Sequence, residues 1–404
     1  MEDMKETLLH HVNGIMEKCQ NSNGIFDYNL KEYNSSLSMI KTNLKFKIPI
    51  GENIFLREKF TNSYGKISIP KILHEVDYIG PYMGFYFGDN KIFNEIKEKK
   101  IIIVPRMLTT LFFGDISITR TDLDINKDII LDTFIPYSNK SSFVLLLRGY
   151  QQDKNNNFSM FFDSKLIMVS RDFSKEMREI MPLPEIIPEN EKEKKLFDKY
   201  GKFLENYKLD SKKSLIKSLP NDDEFQLMYK TILSTYDKNM LEGYEYNEIK
   251  KDEIRLSHTT IKSCFHVSPS EINFAKFLYG GEMIGRGSQL GEIAASMYVD
   301  DKVEVVYIGD MRFIYPSYLG DIIEIKSTVT YVEKPYIEVR TNFISSYISS
   351  TKKPTIIGYL NMTFKYDGNK QLRKLISHET NELMAYVNGR RNLKNFKKKL
   401  INLS

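Results

Sequence analysis

Apolar and polar residues alternate with a period of two along two stretches of this chain. Each stretch follows one segment whose apolar residues recur at helical spacing. In the first, KISIPKILHEVDYIGPYMGFYF (66–87) places Ile72, Leu73, Val76 and Ile79 on one helical face, with Pro70 suited to a first turn. Gly80-Pro81 is expected to break or kink that helix. Strand-like runs follow at 107–120, 127–137, 141–151 and 158–172. In the second, EINFAKFLYGGEMIGRGSQLGEIAAS (271–296) predicts a glycine-led helix, followed by strand-like runs at 303–316, 321–332, 336–348 and 355–366. One helix before four strands, twice over, reads as an internal duplication of pattern rather than identity. A sheet with one apolar face needs a cover, and a helix laid across a curved antiparallel sheet supplies it. Two such units can pair edge to edge and shield their outer strands. The expected class is α+β.

The punctuation gives five segments: a peripheral 1–44, a first unit 45–172, a connector 173–255, a second unit 256–368 and a basic tail 369–404. The beginning of the chain reads as a short amphipathic helix and then an Asn/Ser stretch. The connector opens on prolines in MPLPEIIPEN and turns densely charged; its EKEKK run reads as a solvated face. Within it, LPNDDEFQLMYKTIL offers a helix start with Asn221 or Asp222 as cap and Glu224 nearby. The tail, ending in RRNLKNFKKKL, reads as a solvated helix in preference to one touching membrane headgroups.

Composition narrows the class of protein. With 404 residues, 41% hydrophobic and 27% charged, the chain is globular and long enough for two domains with cores. A net charge of +5 suits weak attraction to phosphate-bearing ligands and does not mark a nucleic-acid binder. Cys19 and Cys264 cannot build a disulfide framework, and no Cys/His spacing points to a metal. No apolar run is long enough for a transmembrane helix. The opening MEDMKETLLHHVNGIMEKC lacks the order of a secretory signal and is too acidic for a transit peptide.

Candidate chemistry gathers at the glycine-led helix. Adjacent Gly280 and Gly281 let backbone N–H groups approach a ligand, and the helix dipole points its positive end at the same place. That combination can hold a developing oxyanion, although Gly-Gly also makes an ordinary tight turn. Asn273 precedes Gly280 by seven residues; most such asparagines simply cap or turn a loop. On the first helix Asp77 lies between Val76 and Ile79, an apolar setting expected to raise its pKa, whereas Glu75 reads as a solvent-facing acid.

Landmarks along roughly 45–370 resemble one family in order: IPIGENIFLREKF, KILHEVDYIG, KLIMVSRDFSKEM, KEKKLFDKYGKFLENYK, INFAKFLYGGEMI and VVYIGDMRFIYPSYLGDIIEIKSTVTYVEKPYIEVR. The chain resembles the double-hotdog acyl-CoA thioesterases, closest to the mitochondrial type of animals. The resemblance implies two tandem hotdog domains, each a long helix wrapped by a bent antiparallel sheet, with the thioester bound between the halves. It matches Asn273, Gly280 and Gly281 to the amide and glycine positions, and Asp77 to the helix acid, as general base or nucleophile. The N–H of Gly281 or Glu282 is then the oxyanion donor. The first half has Ile69-Pro70 in place of its own Gly-Gly, and Gln289 stands where relatives tend to carry an acid in the second. One composite active site and one decayed site fit both losses.

The resemblance implies hydrolysis of fatty acyl-CoA to free fatty acid and CoA, without cofactor or metal. It also implies self-association of double-hotdog chains, no nucleic-acid partner, no stable membrane insertion, and a mitochondrial address with a cytoplasmic one as alternative. Arg286, Arg312, Lys326 and Arg340 are available for CoA phosphates, none assigned above the others. His74, three residues before Asp77, reads as a packing residue or a partner of the acid; that spacing does not fit the Asp/His pair of a hotdog hydratase. The competing reading is a non-catalytic acyl-CoA binder that kept the fold.

Overall fold

The computed structural model describes residues 36–88, 106–153, 157–172, 179–180, 182–210, 219–237, 246–272, 277–309, 311–346 and 353–403. The helix expected near the beginning of the chain lies outside them. The chain forms two compact units, the first from 1–205, 266–285 and 312–321, the second from 206–265, 286–311 and 322–404. The linear reading gave all of 256–368 to the second half. The compact grouping instead places the start of the glycine-led helix, and the segment after Met311, with the first.

In the first unit the elements are β1 (Leu44–Ile48), α1 (Ile54–Phe60), α2 (Ile69–Gly88), β2 (Arg106–Ile118), β3 (Ile129–Ser138), β4 (Ser142–Gln152) and β5 (Phe158–Asp172). The strands pair antiparallel in the order β1-β3-β4-β5-β2. Period-two patterning explains the sheet's inner face: Leu44, Phe46 and Ile48 of β1 are buried while Lys45 between them is exposed. Against that face α2 buries Ile72, Leu73, Val76, Ile79 and Met83. The helix runs through Pro81, where a break was expected. Proline deprives the Asp77 carbonyl of its ordinary i+4 donor, but burial of the apolar face on both sides of it outweighs that local loss.

Two connector helices follow, α3 (Glu191–Asp210) and α4 (Asp222–Leu233). The second unit contains most of β6 (Ile261–His266) and of α5 (Gly280–Val299), then β7 (Glu304–Ile308), β9 (Ile322–Glu333), β10 (Tyr336–Ser346) and β11 (Thr355–Lys365), while the short β8 (Met311–Phe313) begins in it and continues into the first. Its main strands follow the order β6-β9-β10-β11-β7, the same plan as the first unit. The equivalence extends to side chains. A Cβ added at Gly80 of α2 would stand 3.2 Å from the Met168 thioether on β5, and one at Gly291 of α5 would stand 2.1 Å from the Met362 methyl on β11. The helix-start reading also holds where a connector helix, Asp222–Leu233, is capped by Asn221 in a reciprocal box with Glu224.

The basic tail is not a solvated helix. Thr380–Leu403 packs on β9 and β10 and buries Leu383, Val387, Leu393 and Phe396, with Gly389 seated against Thr330 and Tyr331. Its apolar stripe was masked in the sequence by the lysines on the opposite face. Among the described residues no helix is long and apolar enough to cross a membrane, and Cys264 is a free, exposed thiol.

Candidate active site

Three side chains with chemistry occupy one turn of α2: His74, Glu75 and Asp77. Asp77 is 3% exposed, so its carboxylate depends on partners for stability. The Gly281 N–H donates to its Oδ2 at 2.8 Å, and the Thr110 hydroxyl of β2 donates to its Oδ1 at 3.2 Å. Burial pushes the Asp77 carboxyl above its ordinary range; the N–H groups of Gly281 and Gly280, the Thr110 hydroxyl and the nearby His74 charge act the other way. The result is a desolvated carboxylate held at a helix start, the place where backbone dipoles favour negative charge.

The glycines are what allow this approach. A Cβ on Gly281 would lie 2.4 Å from the His74 carbonyl oxygen and 3.2 Å from the Asp77 Cβ. One on Gly280 would meet the Phe313 ring at 2.5 Å and Asp77 Oδ2 at 3.1 Å. The run-up to the helix is fixed by the segment after Met311. The Leu278 N–H donates to the Ser317 carbonyl at 2.9 Å, Phe277 and Tyr318 meet edge to face, and Asp321 accepts from the Ser317 hydroxyl and the Tyr318 N–H.

His74 faces a carboxylate at each ring nitrogen, with Nδ1 3.0 Å from Glu75 Oε1 and Nε2 3.0 Å from Glu282 Oε1. Despite burial, which works against the charged ring, these two carboxylates raise its pKa to about 9. Glu75 is not the solvent-facing acid expected. It is 5% exposed and also pairs with Lys59 of α1 at 2.8 Å. Burial alone raises its pKa; His74 and Lys59 outweigh that and lower it to about 2.

Of the remaining site expectations, Asn273 lies outside the described residues. Glu282, in the first turn of α5, places its side chain on His74. Gln289 is exposed. Counted from the two helix starts, and from the Gly80 and Gly291 contacts, the counterpart of Asp77 on α5 is Ser288. Ser288 is 1% exposed, and its hydroxyl finds no hydrogen-bond partner among the described residues. Thr110 is the partner that sequence reasoning missed. Three of the candidate phosphate-binding cations are engaged elsewhere: Arg286 stacks on Phe265, Arg340 stacks on Tyr359 and bonds Asn342, and Lys326 pairs with Glu324.

No family model matches the chain. The mitochondrial acyl-coenzyme A thioesterase 9 of Mus musculus is 22% identical over 349 residues, which cover 86% of this chain and 76% of that protein. The chain is similar to that thioesterase over most of its length. The mitochondrial acyl-coenzyme A thioesterase 9 of Homo sapiens is a second match of the same kind, 23% identical over 348 residues, covering 85% of the chain and 75% of the human protein. Among solved structures, an acyl-CoA hydrolase from Staphylococcus aureus in complex with butyryl coenzyme A is 18% identical at a TM-score of 0.35, over 37% of this chain and 93% of that one.

Proposed function

We propose that this chain hydrolyses fatty acyl-CoA to free fatty acid and CoA, with Asp77 as the general base. The observation that carries the reading is the 2.8 Å contact between the buried Asp77 carboxylate and the Gly281 N–H at a helix start. It supports a reading in which a base and an oxyanion donor act on one substrate carbonyl. Water attacks the thioester carbon as Asp77 takes its proton. The carbonyl oxygen, negative in the transition state, takes the N–H of Gly281 or Glu282; for Gly281 the carboxylate must release that bond as it turns to the water. The C–S bond then breaks, and the departing thiolate collects the proton. Burial raises the Asp77 pKa, which brings its basicity closer to that needed near neutral pH.

In this reading the two repeats are tandem hotdog domains. The site is composite in sequence, with its acid from the first repeat and its glycine start from the second. Asn273 orients the water or the carbonyl. The likeness to the mitochondrial thioesterases supports a mitochondrial address.

The test is thiol release from a panel of acyl-CoAs of increasing chain length. Asp77→Asn is expected to lower turnover by about 10²- to 10⁴-fold, the usual contribution of a positioned base, without lowering the melting temperature. Release from no acyl-CoA by the wild type, with acyl-CoA still bound, leaves a binder rather than an enzyme.

A further inference from the structure

A neutral imidazole donates one hydrogen bond and presents a lone pair on its other nitrogen. His74 has carboxylate oxygens at 3.0 Å from both nitrogens, so a neutral ring would aim a lone pair at one of two anions. Glu75 is further committed as an anion by Lys59. The arrangement is satisfied when His74 carries both protons. We propose that His74 is a positioning residue: its imidazolium clamps α2 to the first turn of α5 through Glu75 and Glu282, and its charge sets the pH at which Asp77 becomes a base. The rate readout below rests on the hydrolase reading; the clamp itself does not.

The geometry supports both halves of the assignment. His74 is on the same helix face that receives the glycine start, with its carbonyl against Gly281 and its ring against Gly285, 3.2 Å from where a Cβ would stand. Among the described residues, Glu75 from its own helix and Glu282 from α5 lie against the ring, Asp77 feels its charge, and Lys59 of α1 pairs with Glu75. The His74 charge favours ionised Asp77 against burial, so its loss leaves the acid harder to ionise. The sign follows. A raised histidine pKa means the clamp is complete below the ordinary value of 6.5 and is lost as pH rises through about 9.

The test compares the full-length wild type with His74→Gln and Glu282→Gln. Asp77 is followed by carboxyl carbon NMR, assigned by its absence in Asp77→Asn, and His74 by imidazole NMR. Thiol release is measured from pH 5 to 10. In His74→Gln the Asp77 midpoint is expected to move up on the order of 1 pH unit, carrying the acid limb of the rate profile with it. The alkaline limb near 9 disappears in that variant and moves to lower pH in Glu282→Gln. Limbs that stay in place while only the amplitude falls would show a merely structural histidine. A wild-type imidazole titrating below pH 7 would also overturn the clamp. If the wild type releases no thiol, the hydrolase reading fails, and the two NMR titrations still decide the clamp.

Discussion

At the scale of single residues the site is a problem of one desolvated carboxylate and its donors. Asp77 and Gly281 were legible in the sequence, because an acid among apolar helical neighbours and a Gly-Gly helix start are both local signals. Thr110 was not. In MLTTLFF nothing local marks Thr110 as a donor; only the strand's placement brings its hydroxyl to the acid. Glu75 was misread for a similar reason, since its partner Lys59 comes from a separate short helix. Thr110→Val keeps the shape and removes the donor at 3.2 Å from Asp77. A hydrogen bond to the charged form lowers an acid's pKa, so its removal raises it. The acid limb of the rate profile is expected to move to higher pH while the limiting rate above it changes less. A profile that only falls in height would count against this role.

Elements were the most legible level. The eight strand-like runs predicted from alternation all contain observed strands, because half-buried sheets write their inner face directly into the sequence. Boundaries and interruptions were less legible. Pro81 did not end α2, since the apolar residues flanking it are buried by the sheet regardless of one missing N–H. The edge strand β6 escaped notice because most of its residues are exposed and it shows no alternation. Gly287 and Gly291 of α5 have an element-scale reason too: they let the helix sit close to its sheet. A Cβ at Gly287 would lie 2.4 Å from the Phe343 ring, which is fully buried and has no room to swing. Gly287→Ala is therefore expected to destabilise the protein by about 1–3 kcal/mol as overpacking, despite alanine's better helix propensity. Denaturant unfolding measures this; a stabilised variant would mean the helix can shift outward freely.

Over the whole molecule, the duplicated order was readable as pattern, whereas the docking of the last helix was not. In β10 Glu338 is 1% exposed and accepts from the Thr363 hydroxyl. The last helix covers the neighbouring Thr330 and Tyr331, closing a region that a bare sheet would leave wet. Burial raises the Glu338 pKa from 4.5 to about 8. An acid whose folded pKa is raised contributes most below its unfolded value, and that contribution is lost as pH rises through the folded one. Melting temperature should thus decline between pH 5 and 9 in the wild type and decline less in Glu338→Gln, with the two nearly equal at pH 5. Parallel curves would argue that Glu338 is ionised throughout. The shared strand order of the two units has a further, genetic consequence. In a pair of identical subunits every substitution arrives twice, so no site can keep a residue on one side and discard it on the other. A single polypeptide that holds both copies escapes this coupling. Here one copy has Asp77 but starts its helix with Ile69-Pro70, and the other has Gly280-Gly281 but Ser288 in the acid's place. In the proposed reading, neither half alone carries both the acid and the glycine pair.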